Sequence, residues 1–134
     1  MRFAVIGFFC AVCVALFPAL DACASGTCRD LVMQGRFGDA VQECTKGIES
    51  GRLSKEALAG EHAWRGFAHM GMGDAGKAMG DFDSAIDMDP KTDTAYLGRG
   101  QIHELKKDYG AARADLSKAI EIDPTNSAAL AHRG

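Results

Sequence analysis

Two patterns of apolar and polar positions divide the chain. From Phe3 to Leu20 no residue is charged, and a single basic residue, Arg2, precedes the run. A stretch of about 20 apolar residues can cross a bilayer. This one stands at the N-terminus, Pro18 breaks its helix near the end, and small residues follow. That order predicts a signal peptide over 1–24, with Ala22-Cys23-Ala24 as the cleavage site and Ser25 as the new N-terminus. Beyond it, apolar residues recur at helical spacing in paired stretches separated by turns. Between Asp93 and Lys106, Tyr96, Gly100, His103 and Leu105 share one side. Asp108 opens a second helix, whose buried stripe is Ala112, Leu116, Ala119 and Ile120. Pro124 cannot continue that helix.

These pairs repeat. Arg65-Gly66, Arg99-Gly100 and Arg133-Gly134 are 34 residues apart, as are Asp81 and Asp115, Ala85-Ile86 and Ala119-Ile120, Asp89-Pro90 and Asp123-Pro124, and His69 and His103. Many positions sharing one period is the mark of a stacked repeat. A weaker copy precedes them: Gly35-Arg36-Phe37, Ala40, Cys44 and Gly47-Ile48 align with Lys107-Asp108-Tyr109, Ala112, Leu116 and Ala119-Ile120. The longer offset puts extra residues between Glu49 and Ala59, where Gly51 stops one helix and Ser54 caps the next. The organisation read from this is a degenerate repeat at about 25–52, repeats at about 59–92 and 93–126, and the start of a further or capping helix at 127–134.

Composition narrows the function. Fifteen Lys+Arg against 18 Asp+Glu, a net charge of −3, exclude a strongly basic nucleic-acid surface. With 47% hydrophobic residues the chain can bury a core. Of five cysteines, Cys10, Cys13 and Cys23 leave with the signal peptide, so Cys10-Ala11-Val12-Cys13 is not expected to be a redox or metal motif. Cys28 and Cys44 remain. An alternative reading makes Cys23, after Leu20-Asp21-Ala22, the acylated residue of a lipoprotein, with Asp21 awkward in that motif.

A helix–turn–helix unit of this period resembles the tetratricopeptide repeat (TPR), of the kind that bacteria export. The residues carrying the resemblance are Tyr96, Gly100, Ala112, Leu116, Ala119 and Pro124 in one copy, and Gly66, Ala78, Phe82, Ala85 and Pro90 in the other. His62, His69 and His103 stand where the family prefers aromatic rings. The resemblance implies an all-α fold, a right-handed solenoid of antiparallel helix pairs, in which each pair buries its apolar face only against neighbours. It also places Cys28 and Cys44 on facing helices of the first copy. An oxidising compartment would join them as a disulfide; otherwise they are two small core residues.

In such repeats the first helix of each pair lines a concave groove. Carried over, this groove contains Ala63, Trp64, Phe67, Met70 and Gly71, then Thr94, Leu97, Gly98, Gln101, Glu104 and Leu105. The surface is apolar and weakly charged. It lacks the Lys and Asn arrangement that clamps a C-terminal carboxylate, so an extended or helical apolar peptide is the expected partner. The bland alternative is that these side chains pack against more of the stack. No catalytic set is expected: the serines lack a base partner, and Gly71-Met72-Gly73-Asp74 is a turn rather than a phosphate cradle. No cofactor, metal, nucleic acid or small-molecule substrate is expected either. His62 and His132 read as exposed, His69 and His103 as half-buried, and Arg65, Arg99 and Arg133 as structural partners of acids such as Asp81 and Asp115. The expected function is a non-catalytic, exported protein–protein interaction module in the periplasm or outside the cell.

Overall fold

The computed structural model describes residues 27–134; the expected signal peptide, the Ala22-Cys23-Ala24 site and the alternative acylation at Cys23 lie outside them. Seven helices and no strand are found among the described residues: α1 (Cys28–Met33), α2 (Phe37–Glu49), α3 (Lys55–Gly71), α4 (Ala75–Met88), α5 (Asp93–Leu105), α6 (Tyr109–Ile122) and α7 (Ser127–Arg133). None of them is long and apolar enough to cross a membrane.

Local chemistry sets the boundaries. Thr27 and Asp30 form a capping box on α1, and Ser54 accepts from the Ala57 amide at 3.2 Å, starting α3 where the longer connection predicts it. Asp74, Asp108 and Asn126 cap α4, α6 and α7 in the same way. After α4 and α6, Asp89 and Asp123 accept from the Lys91 and Thr125 amides, so each Asp-Pro step folds as the same turn. The turns within the pairs need a left-handed residue. Gly35 (φ 74°) and Gly73 (φ 83°) supply it, and Lys107 (φ 61°) holds the equivalent place in the last pair.

Consecutive helices pack against each other throughout. In addition α1 touches α3, α3 touches α5 and α5 touches α7, whereas among the described residues no two of α2, α4 and α6 touch. The odd helices therefore form the inner layer of a curved stack and the even helices splay outside it. This is an all-α helical solenoid of stacked helix pairs.

Two buried centres hold the layers together. Phe82 of α4 is fully buried, with its ring lodged between Gly66 of α3 and Gly98 of α5. A Cβ at Gly66 would come within 2.7 Å of that ring, and one at Gly98 closer still. Leu116 of α6 seats against Gly100 of α5 in the same manner, with 3.0 Å left for a Cβ. The glycines are there because the knobs need the space.

Two of the inner helices, α3 and α5, are also clamped by an arginine. Arg65 donates through Nε and Nη2 to Asp81 at 3.0 and 2.8 Å, and through Nη1 to Thr45 at 3.2 Å. Arg99 donates to Asp115 at 2.8 Å twice, and to Asp83 at 2.7 Å. One guanidinium thus joins its own pair to the preceding outer helix, a planar fork that lysine could not reproduce. The Asp115 hydrogen bonds, with Asp83 adding to them, hold the Arg99 proton more firmly than usual.

Candidate functional groove

The inner face is built from α1, α3, α5 and α7. On α3, Trp64 is half-buried: its ring lies 5.7 Å from Phe67, centroid to centroid, and Arg29 of α1 sits over it at 5.4 Å. That stacking covers an aromatic face and fixes the ring at the edge of the groove. Further along, Met70, Gln101, Glu104, Leu105 and His132 line an apolar recess of about 360 Å³. His132 contacts Glu104 at 2.8 Å and Gln101 at 3.0 Å, so α7 closes one side of the recess through polar contacts. Leu105 is 73% exposed at its rim. A second recess of about 390 Å³ lies on the other side of Glu104 and His132, between Tyr109, Arg113, Leu116 and Arg133.

The groove expected from sequence is thus redrawn. Met70, Gln101 and Leu105 meet in one recess, and Trp64 stands at the surface. Ala63 does not line it: it is fully buried in the cluster around Phe82, because α3 is gripped from both sides at that point. Leu97 is 8% exposed and packs with Leu116, Ala119 and Ala129, since successive inner helices touch there. Phe67 serves mainly as core, edge-on to Phe82 at 5.1 Å, and Gly98 is covered by the Phe82 ring.

His62 is a further correction. It was expected at the surface, but its side chain is 11% exposed and its Nδ1 lies 3.1 Å from Asp81. Asp81 sits between His62, Arg65 and His69, the last at 3.7 Å, so three potential cations converge on one nearly buried carboxylate. His103 stands in the same relation to Asp115.

Two contributors escaped the residue pattern. His132 falls at the same place in the period as Trp64 and Gly98, so the repeat register was the signal that could have found it. Glu61 had no such signal. It is partly buried on α3, its Oε2 is sealed from solvent without a hydrogen-bond partner among the described residues, and burial raises its pKa. Beside it, Cys28 and Cys44 are buried neighbours with Cα atoms 5.2 Å apart, within the span of a disulfide.

Residues 65–127 match the family model described as tetratricopeptide repeat. Among solved structures, the TPR domain of Arabidopsis OM64 is similar over 81% of this chain and 86% of its own, at 25% identity and a TM-score of 0.69. The first TPR of Spaghetti (RPAP3) bound to the HSP90 peptide SRMEEVD covers 79% and 81%, at 20% identity and a TM-score of 0.67. The second TPR domain of human RPAP3, in complex with the HSP70 peptide SGPTIEEVD, covers 79% and 85%, at 21% identity and a TM-score of 0.64. No curated protein sequence matches the chain. Period, family-model match and shared fold agree in marking residues 65–127 as tetratricopeptide repeats within a TPR-type helical solenoid.

Proposed function

We propose that this protein is a non-catalytic interaction module that holds an apolar segment of a partner protein along its inner face. The observation carrying this reading is the recess of Met70, Leu105, Gln101, Glu104 and His132, on the same layer of helices as the half-buried Trp64. Two of the similar structures are complexes with peptides, which supports a peptide as the occupant. Those peptides carry consecutive acidic residues, whereas Glu104 lines the recess here and would repel them. An apolar stretch suits Met70 and Leu105 better.

The test is a binding assay with labelled apolar peptides, with SRMEEVD as the acidic comparison. Leu105→Asp is chosen because that side chain is largely exposed. It is expected to weaken apolar-peptide binding about tenfold, close to 1.4 kcal/mol, with the melting temperature unchanged. Trp64→Ala is expected to act in the same direction. Tighter binding of SRMEEVD than of any apolar peptide overturns the reading.

Export belongs to the same proposal: cleavage after Ala24, residence in the periplasm or outside the cell, and a Cys28–Cys44 disulfide tying the short α1 to α2. The loop such a bond closes is worth about 3 kcal/mol in the chain-entropy view. N-terminal sequencing of exported protein is expected to read Ser-Gly-Thr-Cys, and non-reducing mass spectrometry to find the two cysteine peptides linked. A lipid-modified Cys23 or an intact Met1 would replace this account of maturation.

A further inference from the structure

Glu61 is an acid that neither the groove nor the arginine clamps employ. Its carboxyl group lies over Gly47 of α2, where a Cβ would stand 3.3 Å from Glu61 Cδ and 3.4 Å from Oε2. Glycine leaves the carboxylate its place, where a Cβ would press it back by a few tenths of an ångström. A buried carboxylate oxygen without a donor is costly, so such a group calls for a reason. Its neighbours are sulfur: Cys28 Sγ of α1, Cys44 Sγ of α2 and a Glu61 carboxylate oxygen of α3 all lie within 4.8 Å of one another. Three donors therefore converge from three helices.

Donors on a tetrahedral zinc ion, bonded at about 2.3 Å for sulfur and 2.0–2.2 Å for oxygen, stand about 3.5–4 Å apart. In the structure the two sulfurs are joined to each other, with a Glu61 oxygen within 4.8 Å of both; breaking that bond lets the sulfurs move apart to the spacing that zinc requires. Two thiolates and one carboxylate form a soft-to-borderline set that suits Zn²⁺ and disfavours calcium or magnesium, which take oxygen. We propose that Cys28, Cys44 and Glu61, with the cysteine pair reduced, form a binding site for one Zn²⁺ ion, and that oxidation of the pair abolishes it. An added dithiol supplies two electrons and two protons to the disulfide, becomes a disulfide itself, and leaves two thiols. Zinc then takes both sulfurs as thiolates and releases their two protons to solvent. Glu61 enters as the third ligand and water fills the fourth position. The covalent tie joins α1 to α2 alone; the metal tie also joins α3, so the six-residue α1, too short to persist unaided, stays docked in either redox state.

The experiment titrates the reduced mature chain with Zn²⁺ against a chromophoric chelator, and with Co²⁺ as a spectroscopic stand-in. One ion per chain, a thiolate-to-cobalt charge-transfer band and a higher melting temperature of the reduced protein with zinc are expected. The oxidised protein is expected to bind none at this site. Glu61→Gln, which keeps the side-chain size, is expected to weaken zinc at least tenfold, and Cys44→Ser to remove the charge-transfer band's intensity in large part, with helix content followed by circular dichroism. Failure of the reduced wild-type protein to take up zinc overturns the proposal without any variant. Equal affinity in Glu61→Gln overturns the role of Glu61. Leu105→Asp is expected to bind zinc normally, so failure of the peptide reading and failure of this one are separable.

Discussion

The second helix of the middle repeat presents Phe82 to its neighbours, and that of the last repeat, 34 residues later, presents Leu116. The two knobs do the same work with different demands on the helices around them. Phe82 reaches two inner helices and needs Gly66 on its own partner and Gly98 on the next, whereas Leu116 rests against Gly100 of its own partner. The place that holds Trp64 in the middle repeat holds Gly98 in the last and His132 in α7. A repeat position is thus not one environment. At Trp64 it faces the groove, at Gly98 it yields to a ring arriving from the preceding pair, and at His132 it closes a recess.

The largest effect should come from breaking the knob that serves two pairs. Phe82→Ala is expected to cost about 3–5 kcal/mol and Leu116→Ala about 2–4 kcal/mol, since a large aromatic leaves the bigger cavity. Denaturant unfolding monitored by circular dichroism would measure both. If Leu116→Ala proves the more damaging, stability is concentrated in the last pair and Phe82 does not bridge two pairs energetically.

Gly98 separates packing from helix propensity. Alanine is better than glycine in a helix by about 1 kcal/mol, so at an open site Gly→Ala should stabilise. Gly80 of α4 is such a site, with nothing within 4 Å of an added Cβ. At Gly98 the Cβ meets the Phe82 ring, which is fully buried and backed by Gly66, so it cannot retreat. Gly80→Ala is expected to raise stability by up to about 1 kcal/mol, and Gly98→Ala to lower it by about 1–3 kcal/mol. Pairing Gly98→Ala with Phe82→Leu should recover part of the loss, a coupling that a double-mutant cycle would detect.

These contrasts explain how far the sequence could be read. Period, caps and small-residue places are local or strictly repeated, so Ser54, Asp108 and the Asp-Pro turns announced the helices, and the Arg65–Asp81 and Arg99–Asp115 pairs followed from their shared step. The inner surface was less legible. Ala63 and Leu97 occupy groove places by register, yet the tight approach of successive inner helices buries them, and that approach is set by glycines on other helices. His62 was drawn inward by Asp81, 19 residues away, a partner visible only once α3 and α4 are laid together. Glu61 meets the cysteines solely through the packing of three helices, and no spacing in the chain encodes that.

The smallest effect sharpens the comparison at the turn inside each pair. Gly73 and Lys107 occupy the same place in the period, both left-handed, with φ of 83° and 61°. Glycine adopts that region freely, while a side chain crowds the following carbonyl at a cost of roughly 1 kcal/mol. Lys107 is exposed, so its replacement removes no packing. Lys107→Gly relieves the crowding but lets the unfolded chain gain entropy, which offsets part of the benefit. A net gain of about 0.5 kcal/mol is expected, read as a small rise in melting temperature. Gly73→Lys, the reciprocal change, is expected to cost about 1 kcal/mol, because there the strain is added to a turn that now has none. Equal and negligible shifts from both substitutions would mean that the turn relaxes around either residue, and that the two repeats differ in their knobs alone.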